Sequence, residues 1–98
     1  MKTVTLNGAA FSDLRGFYRE MAHLLAPGNE DEVGHNLDAL CDLLRGGFGF
    51  HKYGEELTIV WENYGASRAN LGERDTLRIV EVMLDPDAGH KCRVELKD

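Results

Sequence analysis

The run Leu57-Thr58-Ile59-Val60-Trp61 is rich in β-branched and aromatic residues and almost wholly apolar. Such residues favour a pleated backbone, so the segment reads as a strand. A strand without polar alternation is one covered on both faces, the usual state inside a parallel sheet. Parallel neighbours need crossover connections of a dozen residues or more, most often helices. The rest of the chain must therefore alternate strands with helices. Lys2-Thr3-Val4-Thr5-Leu6 alternates and closes on Asn7-Gly8, a strand followed by a turn. Ser12 is placed to cap a helix running to Leu25. Its Leu14, Phe17, Tyr18, Met21, Leu24 and Leu25 keep the i, i+3, i+4, i+7 spacing, and Pro27-Gly28 ends it.

A second, shorter helix follows the acidic stretch Asn29 to Glu32. Asn36 is its cap, Leu37, Leu40, Cys41 and Leu44 form its apolar stripe, and Gly46, Gly47 and Gly49 close it in a loop. From Glu62 to Gly72 the pattern is irregular, with room for one helical turn. A segment opening at Asp75 or Thr76 and ending at Leu84 reads as helix, with strand left open by Ile79, Val80 and Val82. Lys91 to Leu96 alternates apolar and charged residues, as an edge strand does. The order is strand, helix, helix, strand, helix, strand. Right-handed crossovers between successive neighbours put every helix on the same side. The expected fold class is α/β: a two-layer domain with a three-stranded parallel sheet and helices packed on one face. A chain of 98 residues, 43% of them hydrophobic, supports one modest core, so residues 1–98 form one domain.

Charge divides the chain unevenly. Residues 20–44 hold six acids (Glu20, Glu30, Asp31, Glu32, Asp38, Asp42) and no Lys or Arg, and so account for the whole formal charge of −6. Phosphate recognition relies on basic patches, so nucleic acid is excluded as a partner, and an anionic membrane is excluded for the same reason. A basic protein is the natural partner, because complementary fields speed encounter. MKTVTLNG has neither a long apolar segment nor a small-residue cleavage site, and a cytoplasmic location is expected. Cys41 and Cys92 show no CxxC spacing and read as reduced thiols.

Asp38 and Asp42 stand four residues apart in the second helix. With Leu37 at the origin of a helical wheel, the apolar stripe falls within about 60°, and the two aspartates at about 100° and 140°. They share the solvent flank with one internal base, Arg45. Like charges at that spacing weaken a helix by about 0.2–0.5 kcal/mol. The macrodipole accounts for Asp38 in the first turn, but not for Asp42.

Catalysis by the pair would need a cleft and two separated pKa values, which a solvated helix flank does not supply. The four histidines (His23, His35, His51, His90) are scattered without ligand spacing and read as solvated or core-edge, so no metal or other cofactor is expected. Cys41 lies beside an anion, the reverse of an activated nucleophile. Gly46-Gly47-Phe48-Gly49 lacks the Lys-Ser/Thr of a phosphate loop.

The stretch Gly34-His35-Asn36-Leu37-Asp38-Ala39-Leu40-Cys41-Asp42-Leu43-Leu44-Arg45-Gly46 resembles the barstar family, intracellular inhibitors of bacterial secreted ribonucleases. The family pattern is a glycine, any residue, Asn-Leu-Asp-Ala-Leu, an aromatic and an acid, then a leucine and a glycine. The resemblance implies that this loop and helix plug a nuclease active site. It makes Asp38 and Asp42 mimics of RNA phosphates, on a convex surface that binds without being cut. Gly34, Asn36 and Leu37 would shape the contact loop, His35 would sit in it, Cys41 would occupy the aromatic position and Gly46 would lie at the rim. Five positions depart from the pattern. Glu32-Val33 replaces an aromatic pair, Cys41 an aromatic, and Gly47 a tryptophan; Arg74, flanked by Glu73 and Asp75, falls where the family has a contacting acid. Since aromatic anchors dominate interface energies, the implied partner is a basic ribonuclease other than barnase, or another basic toxin protein, met by a monomer. The alternative is an acidic interaction or regulatory module of the same fold that binds a non-nuclease.

Overall fold

A computed structural model describes Met1–Asp98. The strands are β1 (Lys2–Asn7), β2 (Leu57–Glu62) and β3 (Cys92–Leu96); the helices are α1 (Leu14–Leu25), α2 (Leu37–Arg45), α3 (Tyr64–Leu71) and α4 (Glu73–Leu84), with a 3-10 turn at Glu30–Glu32. The three strands form one parallel sheet in the order β1-β2-β3, in an α/β fold. Register puts Val4, Ile59 and Val94 in one row, and Leu6, Trp61 and Leu96 in the next. Leu6, Leu57, Ile59 and Trp61 are fully buried, against Phe17, Met21 and Leu25 of α1, Leu40, Leu43 and Leu44 of α2, and Ile79 and Met83 of α4.

β2 is not covered on both faces. The rows Thr3-Thr58-Arg93 and Thr5-Val60-Glu95 face away from the helices, and there Thr58 and Val60 are only half-buried. Their shelter is lateral, from neighbouring strands rather than a second layer. A central position thus produces the same unbroken apolar run that two covered faces would.

Three boundaries also differ from the sequence reading. α1 is capped by Asp13, not Ser12: the Asp13 carboxylate accepts from the Gly16 N–H at 2.8 Å. The supposed irregular stretch holds an eight-residue helix, α3, which buries only Ser67 and Leu71 and so has little apolar periodicity to reveal it. α4 starts at Glu73, directly after Gly72 (φ 88°), whose carbonyl accepts from the Thr76 hydroxyl at 2.7 Å.

α3 is held by one buried relay. The Trp61 indole N–H donates to Ser67 Oγ at 2.9 Å, and the Ser67 hydroxyl donates to the Gly8 carbonyl at 3.1 Å. Gly8 has no room for a side chain: a Cβ there would overlap Ser67 Oγ and the Asn63 carbonyl. Ser67→Ala leaves a buried indole N–H unpaired and is expected to cost about 1–3 kcal/mol. Thermal denaturation should register this as a fall of about 4–8 °C per kcal/mol in a domain of this size.

His51 and His90 correct the expectation of solvated or core-edge histidines. Both are buried, and each Nε2–H donates to a carbonyl in the last turn of the preceding helix, His51 to Leu44 at 3.0 Å and His90 to Met83 at 3.1 Å. These carbonyls have no partner within their own helix. The imidazoles fasten the ends of α2 and α4 to the following loops, while each Nδ1 is buried without a partner.

Candidate protein-binding face

Asn36 starts α2 as expected, its side-chain oxygen accepting from the Ala39 N–H at 2.8 Å. The buried face is Leu40, Leu43 and Leu44, rather than the expected stripe of Leu37, Leu40, Cys41 and Leu44. Leu43 turns inward, which leaves Cys41 half-buried and Leu37 at the margin of the core. Asp38 and Asp42 consequently face solvent.

The two carboxylates are not equivalent. Asp38 is exposed and enters none of the four ion pairs of the chain. Asp42, with a side chain 61% exposed, is paired with Arg45 at 2.9 Å. The same guanidinium donates through Nε (3.0 Å) and Nη2 (2.7 Å) to the Ala88 carbonyl, in the turn before β3. Two free anions on one flank are therefore one free anion and one held by its own neighbour.

Asp38 stands at the border of an open groove. Asp38, Leu37 and His35 share a groove of about 690 Å³ with Tyr18 of α1 and Asp75 and Arg78 of α4. The His35 imidazole lies nearly parallel to the Tyr18 ring, 7° between planes and 6.2 Å between centroids. Burial raises the Tyr18 phenol above its usual range, with the Asp75 carboxylate and then Cys41 adding to it. On the other side of His35 a larger groove, about 1100 Å³, runs between Arg15, Arg19 and His23 of α1 and the acids Glu30 and Asp31. Glu30 is held below the usual carboxylate range by its own backbone N–H and that of Gly28, with His23 contributing at 3.6 Å.

Glu73, Arg74 and Asp75 are placed differently. Glu73 is tied to Arg68 at 2.7 Å, and Arg74 does not line the groove, whereas half-buried Asp75 lines it with Asp38. Helical phase was the available signal, since Asp75 and Ile79, four residues apart, line the same groove.

The two expected glycine contacts separate as well. Gly34 is exposed, and a Cβ there would meet Ala39 and Asn36 only at 3.5 and 3.6 Å, so it leaves open surface. Gly46 is buried rather than at a rim. It packs on the His51 ring and the Lys52 carbonyl, with φ 91° and ψ −172°. Beyond it, Tyr53 is 76% exposed and packs beside Gly47.

The cysteines are free. Burial pushes the Cys92 thiol up to about 12 and also raises Cys41, where Arg45 opposes the shift and Asp38, Asp42 and Asp85 reinforce it. The thiolate is the reactive form. At pH 8 a disulfide reagent is therefore expected to leave Cys92 unlabelled and to react slowly with Cys41, both reacting at once in guanidinium. No group of three or more His, Cys, Asp or Glu is arranged to hold a metal ion. No helix is long and apolar enough to cross a membrane.

The fold is thus a three-stranded parallel sheet with helices on one face, with an exposed carboxylate in no ion pair, Asp38, at the edge of an open groove. The family model described as Barstar (barnase inhibitor) matches residues 1–97, and the chain belongs to that family. No curated protein matches the chain.

Proposed function

We propose that the protein inhibits a basic secreted-type ribonuclease by inserting the loop Gly34–Asn36 and the first turns of α2 into its substrate groove. The observation that carries the reading is Asp38: exposed, unpaired, and fixed on a capped helix whose family is described by its inhibition of barnase. A groove built to bind phosphates presents Arg, Lys and His, and a carboxylate held at a set position meets them at little ordering cost. Asp75 adds a second anion to the same surface, Leu37 an apolar margin and His35 a stacked ring. Asp42 and Cys41 border the contact, Gly46 supports it from beneath, and exposed Tyr53 supplies an aromatic side chain near its far end. The protein acts as a monomer, in the cytoplasm, without a cofactor.

Immobilised protein should capture a basic ribonuclease from a panel of secreted microbial enzymes and inhibit it one to one. Association should slow steeply with added salt, as steered encounters do. Stoichiometric capture without loss of RNA cleavage would favour the second reading, an acidic interaction module for a non-nuclease. The Asp42–Arg45 pair supports that alternative, because it halves the free charge on α2.

A further inference from the structure

Arg45 is held from several directions. Three of its five N–H groups are used, one on Asp42 and two on the Ala88 carbonyl, 43 residues away in sequence. Its own carbonyl accepts from the Gly54 N–H at 2.7 Å, and Gly89 (φ 85°) brings the turn so close that a Cβ there would lie 3.2 Å from Arg45 Nε. An ordinary surface pair three residues apart is weak and mobile. Here the guanidinium is anchored by a backbone carbonyl whether or not Asp42 engages it, so a positive charge stands permanently beside that carboxylate.

We propose that Arg45 is a specificity-determining residue: by holding Asp42 and the Ala88 carbonyl together, it withholds one α2 carboxylate from the partner. It thereby selects a ribonuclease whose cations converge on Asp38 and which places none against the C-terminal end of α2. This rests on the inhibitor reading above. A cation approaching Asp42 meets the fixed Arg45 charge at 2.9 Å, whereas one approaching Asp38 meets a carboxylate in no ion pair, in a groove lined by Asp75 and also by Arg15 and Arg78.

The test is a double-mutant cycle, with binding to barnase and other secreted basic ribonucleases as the readout. For an enzyme that places a cation against the C-terminal end of α2, Asp42→Asn should weaken binding less than threefold in the natural background and tenfold or more in Arg45→Gln, and Arg45→Gln alone should tighten binding at least tenfold and steepen its salt dependence. Equal losses for Asp42→Asn in both backgrounds would overturn the proposal. Should Arg45→Gln fail to fold, the single variants decide: a small loss for Asp42→Asn beside a large one for Asp38→Asn supports the clamp, and equal losses overturn it. If no enzyme binds any variant, the inhibitor reading fails, and NMR of the free protein judges the clamp separately. Resolved, slowly exchanging Arg45 Nη protons support it; averaged signals in the unaltered chain overturn it.

Discussion

Asp38→Ala is expected to weaken binding of the target ribonuclease by about 2–5 kcal/mol, the range for removing one member of a desolvated charge pair such as those that join barnase to barstar. At 1.4 kcal/mol per decade this is about thirtyfold to several thousandfold in Kd. The loss should appear mainly in the dissociation rate, because deleting a close contact leaves most of the long-range field of a chain with charge −6 in place. The folded state should lose no more than about 0.3–1 kcal/mol, the macrodipole contribution of a first-turn carboxylate. Asp38→Asn separates charge from shape. Titration of ribonuclease activity with each variant, alongside thermal denaturation, checks all three expectations. Unchanged inhibition by both variants would remove Asp38 from the interface.

Gly46→Ala should act in the opposite way, on the fold and not on the contact. Its backbone occupies a region open essentially to glycine alone, where another residue costs about 1–3 kcal/mol. The added methyl would also collide with the Lys52 carbonyl and the His51 ring, neither of them a flexible end that can swing aside. Overpacking of this kind costs a further ~1–3 kcal/mol. Against a total stability of about 5–15 kcal/mol for a small domain, the sum is enough to unfold a substantial fraction of the protein or to free the loop carrying His51. Urea denaturation followed by tryptophan fluorescence of Trp61 measures it directly. If Gly46→Ala melted normally while losing inhibition, the glycine would be a contact residue after all. Gly34→Ala is the control, since that position has ordinary space for a methyl group.

The contrast between these glycines shows where reading along the chain succeeds. Both stand at positions of the same local motif, and both were expected at the contact surface. What distinguishes them is the loop Gly47–Tyr53, which folds back so that His51 reaches the Leu44 carbonyl and closes over Gly46. Asp38 and Asp42 look alike in sequence for a related reason. Their wheel positions are set by a local repeat of 3.6 residues, and exposure followed from that repeat correctly. Their charge environments were not set by it. The cap of α1 is Asp13 and not Ser12 because both are good capping residues and only backbone geometry selects between them.

The chain's own periodicities determined the parallel sheet, its helical crossovers, the apolar stripe of α2 and the outward placing of its acids, because each depends on neighbours within a few residues. Tertiary structure alone decided that β2 is open on one side, that α4 lies beside α2 so that Asp75 and Asp38 line one groove, and that Arg45 reaches Ala88 and takes Asp42 with it. Those outcomes rest on groups far apart in sequence meeting at angstrom distances, and no local pattern of residues encodes such a meeting.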